Sequence, residues 1–382
     1  MKLLITGGAG FIGSEIVRQL APEHDITVLD SMSEQIHGKN WESSYLYQSI
    51  RDRCRFILGS VCDFETVRKA LEGQEAVIHL AAETGTGQSM YEINHYNETN
   101  IMGTSNLLQA ISLMGESSMV RKIILSSSRS VYGEGRYVCP RCGDVYPGSR
   151  SREKLMQGDF NLYCPVCGAK VAPAATQEDS RLRPSSLYAF TKQAQESMLQ
   201  TMCPALGVDL TIFRFQNVYG AGQSLNNPYT GILSIFSSLL LAGKDVNVFE
   251  DGLESRDFIH VSDVAKAVIR SLDCEESNGE VINLGSGEDT SVLEVACLLK
   301  KIYGSRSEIH VTGDFRIGDI AHNKADIRKA RRILDFYPSV GLEEGLTSFC
   351  AWVLKQKRDL NTYEQSLQEM EDTGMFIRKN GK

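Results

Sequence analysis

With 382 residues, 42% of them hydrophobic and 23% charged, the chain is long enough to bury a sizeable core in one large or two moderate domains. Its formal net charge of -8 gives no basic footprint for nucleic acid or an anionic membrane, and neither partner is expected. Of its 10 cysteines, four fall in two close pairs and the others are scattered singly, which fits a reducing compartment, the cytoplasm, with one metal site rather than a disulfide framework.

Lys2 to Thr6 reads as a short buried strand; glycine breaks the apolar run at once and no small-residue cleavage site follows, so it is not read as a signal peptide. Gly7, Gly10 and Gly13 follow in G-x-x-G-x-x-G spacing, and a helix is predicted from Ser14 to Leu20. At such a junction glycine lets the backbone turn tightly and approach a pyrophosphate, while the helix amino terminus offers unpaired N–H groups to the anion. A second strand, Asp25 to Leu29, ends in Asp30, at the separation expected of the acid that binds an adenosine ribose. A carboxylate there repels a 2'-phosphate and no arginine follows immediately, so NAD is favoured over NADP.

The strand Cys54 to Leu58 leads to Ser60, Val61 and then Asp63, which is read as the cap of a helix starting at Phe64, with a contact to adenine as the alternative. Ala76 to Ala82 reads as a buried parallel strand ending in small residues, Leu80, Ala81 and Ala82, beside which a dinucleotide can lie; His79 within it is read as a core histidine. Glu83 to Met90 is a loop at the carboxyl end of that strand, where open α/β sheets bind ligands. Thr84, Gln88 and Ser89 are its candidate substrate contacts, with ordinary solvated loop residues as the alternative. A helix over Asn94 to Ile111 and a strand from Lys122 to Ser126 deliver the cluster Ser126-Ser127-Ser128.

Beyond it come a helix over Lys192 to Met202 and a strand over Asp209 to Arg214, and this alternation predicts an α/β fold with a doubly wound parallel sheet. The apolar run Ile232 to Ala242 is too short to span a bilayer and reads as a buried helix. Asp263 to Leu272 is a helix capped by Ser262 or Asp263, Val281 to Gly287 a strand and turn, and Asp326 to Leu334 a helical stretch. The expected organisation is a dinucleotide-binding domain over 1–215 that contains an insert at 136–172. A smaller, interwoven substrate lobe spans 216–354, with 246–282 returning to the first domain, and an exposed tail covers 355–382.

The insert carries Cys139-x-x-Cys142 and Cys164-x-x-Cys167, each pair followed by glycine. Two such knuckles can supply four sulfurs to a tetrahedral Zn2+ with no open position for water, so a structural zinc is expected; another thiolate-bound metal or a redox disulfide are the alternatives. The stretch around Arg141 to Lys154 is only mildly basic, and the insert is read first as a folding staple and second as an element shaping substrate access or a subunit contact.

Tyr188 and Lys192 share one helical face in a Tyr-x-x-x-Lys spacing. An ammonium near a phenol favours the phenolate and converts a poor base into a usable one at neutral pH.

Taken with TGGAGFIG, HLAA, SSSRSVYG, YAFTK, RFQNVYG, RDFIHVSDV, NLGSG and RIGD, in that order from Leu3 to about Trp352, the chain resembles the extended short-chain dehydrogenase/reductases of the nucleotide-sugar epimerase and dehydratase group, with a Rossmann domain. The resemblance implies a triad of Ser128, Tyr188 and Lys192: Ser128 bonding the reacting oxygen, Tyr188 moving the proton, Lys192 also holding the nicotinamide ribose. It implies tightly bound NAD lined by Gly7, Gly10, Phe11, Ile12 and Gly13, by Asp30, Ser60 and Val61, and by Leu80, Ala81, Ala82 and Ser126. Asn217, Arg256, Arg316 and Asp319 are the implied contacts to the nucleotide part of the substrate, since guanidinium groups bind phosphate oxygens in two-pronged fashion.

Dehydratases of this group carry an Asp-Glu pair before Val-Tyr-Gly; here Arg129 and Ser130 stand in those places. Elimination of water lacks its proton-transfer groups there, and reversible oxidation needs neither, so a 4-epimerase is expected, with a net dehydrogenase or reductase and a non-enzymatic scaffold as rivals. The loop AAETGTGQSMYE resembles that of enzymes acting on a 6-deoxy sugar nucleotide such as dTDP-L-rhamnose; UDP-hexoses and UDP-uronic acids stay open. The family also implies a homodimer through the helices that contain Asn94 and Lys192.

Overall fold

The computed structural model describes residues 1–225, 231–356 and 361–379. Seven parallel strands form the central sheet: β1 (Lys2–Thr6), β2 (Asp25–Asp30), β3 (Arg55–Leu58), β4 (Ala76–His79), β5 (Lys122–Ser128), β6 (Asp209–Phe215) and β7 (Val281–Leu284). Their order across the sheet is β7-β6-β5-β4-β1-β2-β3, the reversal falling beside β1, where the chain leaves first to one side and then to the other. The doubly wound α/β expectation is therefore met, and the carboxyl ends of β1, β4 and β5 meet at one edge.

Both faces of this sheet are covered, which is why its strands are mostly apolar. Successive side chains point to opposite faces, so Leu3 and Ile5 pack with Ile16 and Val17 of helix α1 (Phe11–Leu20), and Leu4 packs with Leu107 and Leu108 of helix α2 (Gly103–Met114). Helix α3 (Leu187–Leu206) covers the second face through Leu199 and Cys203, while helix α4 (Val261–Leu272) lays Val264 and Val268 on the first. Burying one such leucine or valine contributes roughly 1.5–3 kcal/mol.

Helix α3 begins before the predicted Lys192 because Ser186 caps it, its hydroxyl accepting from Ala189 N at 3.2 Å, and Gly207 ends it with a left-handed φ of 65°. One buried charge pair ties α3 to the sheet. Arg214 of β6 grips Glu196 of α3 with two parallel bonds, Nε to Oε1 at 3.0 Å and Nη2 to Oε2 at 2.7 Å. Its remaining Nη1 donates to the Tyr132 hydroxyl and to the Glu178 carbonyl, both at 2.8 Å, and Ser127 Oγ donates to the same Glu196 carboxylate.

Three expectations change. The helix predicted over Asn94 to Ile111 is α-helical at Ile93–Tyr96, a wider π turn over Asn97–Met102, then α2. That turn carries Asn100, whose amide donates to Thr191 Oγ1 (2.9 Å) and to the Glu83 carbonyl (3.1 Å) and accepts from Glu83 N (2.8 Å). Helix α4 is capped by the His260 ring, which accepts from Ser262 N, because the Asp263 carboxylate is drawn away to Ser339 N and Val340 N. The tail is not simply exposed: Phe376–Ile377 pairs antiparallel with Phe315–Arg316, and Met370 and Phe376 are buried, the few apolar side chains of a polar stretch finding cover. Residues 357–360 and 380–382 of that expected tail lie outside the described residues.

A second apolar cluster, with Leu233, Phe236, Val295, Leu299 and Phe349, forms where helices Ile232–Leu241, Val292–Tyr303 and Leu342–Val353 meet the paired strands Val246–Val248 and Ile309–Val311. The insert forms its own three-stranded antiparallel sheet of Gly143–Val145, Tyr137–Cys139 and Ala172–Pro173. Among the described residues no helix is long and apolar enough to cross a membrane.

Removing one partner of the Glu196–Arg214 pair leaves the other charge buried without compensation. Arg214→Met is expected to lower the unfolding free energy by about 3–5 kcal/mol in denaturant titration; a loss within experimental error would show that the pair holds nothing.

Candidate active site

A cavity of about 960 Å3 opens at the carboxyl ends of the strands and runs from the glycine turn after β1 to Phe249, Arg256 and Arg316. The turn admits only glycine at its tightest points. Gly7 has φ 68°, and a Cβ on it would stand 2.7 Å from Ala81 N; a Cβ on Gly13 would stand 2.4 Å from the Gly7 carbonyl oxygen. Gly10, Phe11, Ile12 and Gly13 thus bring the amino terminus of α1 to the cavity wall, where unpaired N–H groups favour an anion. Asp30 lines the same end, its carboxylate accepting from Ala9 N at 3.0 Å and Met32 N at 2.9 Å. Burial pushes this carboxyl up, and those N–H bonds together with the nearby His37 pull against it. Ser60, Val61, Leu80, Ala81, Ala82 and Ser126 complete this wall. Asp63 turns away to cap its helix through Glu65 N and Thr66 N, and buried His79 bonds Thr6 and Thr104 as a core residue.

Ser128, Tyr188 and Lys192 line the middle of the cavity together. Ser128 Oγ accepts from both Ser130 N (3.2 Å) and Ser130 Oγ (2.8 Å), which leaves its own proton free to donate. Tyr188 N donates to Ser89 Oγ at 3.0 Å, so Ser89 serves the helix start rather than the cavity. Lys192 Nζ donates to the Ser126 carbonyl at 2.8 Å, and burial brings its pKa down to about 7. For the Tyr188 phenol, burial raises the pKa, while a hydrogen bond from Ser128 and the charge of Arg129 pull it down. Arg129, a residue that sequence reasoning had read only as a missing carboxylate, is thus a positive charge that favours the phenolate form. Burial and the field of Arg256 bring Arg129 to about 10, and it stays charged at neutral pH.

At the far end stand Asn217, Arg256, Arg316 and Asp319. Arg256 Nη2 donates to Asp319 Oδ1 at 3.0 Å, and the Arg316 guanidinium lies over the Phe249 ring at 5.1 Å. Asn217 Oδ1, Gln223 Oε1, Glu254 Oε2 and Arg316 Nε are buried polar atoms without a partner among the described residues, and all four side chains line this end. Such atoms are costly unless something else satisfies them, which marks a polar ligand's place. Burial, aided by the charge of Glu250, raises the Glu254 carboxyl to about 8. Gln223, Phe249 and Glu254 sit in irregular segments and gave no periodic signal. Thr84 lines the cavity, but Gln88 does not: its amide is buried behind the wall, bonded to Gln35 at 3.1 and 3.2 Å and receiving the Tyr96 hydroxyl at 3.2 Å. Gln35, the partner of Gln88, does line the cavity.

The sulfurs of Cys139, Cys142, Cys164 and Cys167 lie within 4.8 Å of one another, so the cluster can hold a metal ion. Gly143 and Gly168 close the two knuckles with φ 73° and 71°, and Arg141 N and Val166 N point at the Cys139 and Cys164 sulfurs at 3.4 Å.

The NAD dependent epimerase/dehydratase family model matches residues 3–150 and 164–285, more than half of the chain, and its gap falls between the two cysteine pairs. This chain belongs to that family. Members similar to this epimerase-family enzyme include the dTDP-L-rhamnose 4-epimerase of Burkholderia thailandensis, 37% identical over 93% of this chain and 95% of that one. Among solved structures, UDP-glucose 4-epimerase of Thermotoga maritima with UDP-glucose is 29% identical, TM-score 0.73, over 93% and 99% of the two chains. UDP-glucuronic acid 4-epimerase of Bacillus cereus with UDP-glucuronic acid and NAD is 25% identical, TM-score 0.74, with the same coverage.

Proposed function

We propose that this family member is a nucleotide-sugar 4-epimerase that keeps NAD bound and acts on a dTDP-6-deoxyhexose of the dTDP-L-rhamnose type. The observation that carries the reading is the meeting of Ser128, Tyr188 and Lys192 in one cavity, with Arg129 and Ser130 where a dehydratase would place its carboxylates. The sugar is supported by the Glu83–Met90 loop and by the Burkholderia relative.

NAD fits the glycine end. A side chain at Gly7 or Gly13 would fill the cradle, the α1 amino terminus faces the pyrophosphate, and Asp30 accepts from ribose hydroxyls while disfavouring a 2'-phosphate. Bound there, NAD supplies a hydride acceptor and then the donor, and is unchanged after each turnover. Tyr188 takes the proton of the C4 hydroxyl, and Ser128 turns its hydroxyl hydrogen to that oxygen. Arg129 stabilises the phenolate, and Lys192, fixed on the Ser126 carbonyl, holds the nicotinamide ribose. The resulting 4-keto sugar turns about its diphosphate linkage while Arg256 and Arg316 keep the phosphates. Tyr188 then returns the proton to the oxygen of the opposite epimer.

Zinc is the metal assigned to the insert: sulfurs about 3.8 Å apart belong to a tetrahedral centre with ~2.3 Å bonds, which the clustered thiols approach, and all ten cysteines are free. Reduced thiols also fit a cytoplasmic location. A homodimer completes the reading, since Ile93, Met102 and Phe190 are about half exposed on the Ile93–Tyr96 helix, the π turn and α3.

Purified protein is expected to interconvert one C4-epimeric pair from a panel of dTDP-, UDP- and GDP-sugars without net NADH, and Tyr188→Phe to lose on the order of 10^2–10^4 of the rate. Stoichiometric NADH, or full activity in Tyr188→Phe, would replace the epimerase reading with a dehydrogenase or another mechanism. Metal analysis is expected to return about one zinc per chain; protein that folds with none contradicts the zinc assignment.

A further inference from the structure

The insert reaches the cavity's far end through one side chain. Arg150 lies between the two cysteine pairs, and its side chain is only 3% exposed. It grips the Glu250 carboxylate with both Nη atoms, Nη2 to Oε1 at 2.8 Å, and Nη2 also donates to the Asp319 carbonyl at 3.0 Å. Nε stands 3.6 Å from Glu134. A planar fork can serve a carboxylate and a carbonyl at once, which an ammonium cannot do in the same geometry.

Both partners support an arginine of the cavity. Asp319 is the residue whose carboxylate accepts from Arg256 Nη2, and Arg256 is otherwise fastened to the carbonyls of Ser255, Ile320 and Ala321 at 2.9, 2.8 and 3.0 Å. Glu250 follows Phe249, the ring beneath Arg316. Glu250 also has φ 50°, a left-handed backbone that is strained for a side-chain-bearing residue and persists only where the surroundings enforce it. The Arg150 pair and the bond from Glu250 N to the Asp314 carbonyl at 2.8 Å provide that enforcement. A second link runs through the insert's core: Ala321 packs with Cys139 and Cys164 in one apolar cluster, and its N–H donates to Glu134 at 2.9 Å.

We propose that Arg150 is a positioning residue for the nucleoside diphosphate, setting Arg256 through Asp319 and Arg316 through Glu250 and Phe249, so that the cysteine insert governs nucleotide affinity. This rests on the reading of the cavity as a nucleotide-sugar site. None of these contacts is made to Ser128, Tyr188 or Lys192, so the main effect is expected in KM rather than in kcat.

The test uses the NAD-loaded full chain and two variants, Arg150→Lys and the double variant Arg150→Met with Glu250→Gln, which removes both charges of the closest pair and carries the test if the first does not fold. Calorimetric binding of UDP, dTDP and GDP is measured alongside kcat and KM for the sugar nucleotide that the wild type converts. Affinity for the preferred nucleotide is expected to fall ~tenfold or more, a difference of about 1.4 kcal/mol, with KM rising in step and kcat, bound NAD and zinc content unchanged. A folded variant that binds its nucleotide as tightly as wild type, or that loses kcat with unchanged affinity, overturns the positioning role alone. A wild type that binds none of the three nucleotides overturns the nucleotide-sugar reading, and the inference with it.

Discussion

The buried pair of Glu196 and Arg214 is the constraint on which the arrangement of the cavity depends. Glu196 lies one turn beyond Lys192 on α3, and Arg214 lies near the end of β6, so their two parallel bonds set the height of that helix against the sheet. Ser127, next to Ser128, donates to the same carboxylate, and Tyr132, at the end of the turn after Ser128, receives the guanidinium. One ion pair therefore fixes both the strand end that offers Ser128 and the helix that offers Tyr188 and Lys192. Ionic groups this deep are costly to desolvate, and their hydrogen bonds are all spent on elements that flank the cavity.

Within that frame the cavity divides its electrostatics by position. The glycine end offers main-chain N–H groups and the Asp30 carboxylate, and the far end offers guanidinium groups and unpartnered polar atoms. Between them burial works against both members of the Tyr188–Lys192 pair, raising the phenol and lowering the ammonium, so charge at the reacting centre has to come from neighbours. Arg129 is such a neighbour, placed on the turn that begins after Ser128. The arginine that stands where a carboxylate would be expected in a dehydratase thus also lowers the pKa of the Tyr188 phenol.

Features legible in the sequence were those set by short-range geometry. The strand, glycine turn and helix up to Leu20, the ending of β2 in Asp30 and the Tyr-x-x-x-Lys spacing each follow from periodicity and backbone stereochemistry within a few residues. The cysteine knuckles were legible for the same reason, their glycines occupying the left-handed turns that the spacing implied. What escaped was decided by partners far along the chain. Gln88 looked like a loop contact until Gln35 and Tyr96 claimed its amide, Asp263 looked like a helix cap until Ser339 and Val340 took its carboxylate, and Phe376 looked like part of a solvated tail until Phe315 and Arg316 gave it a strand to pair with. Arg129 was visible as a residue but not as a charge near Tyr188, because α3 and β5 meet only in the folded sheet.

The most direct measurement follows a label at the reacting carbon. With dTDP-L-rhamnose deuterated at C4, the account predicts that the C4 epimer forms with the deuterium still on C4, because hydrogen removed from that carbon returns to it without meeting water. Epimer that has exchanged its C4 deuterium for solvent hydrogen would contradict a mechanism of oxidation and return at C4.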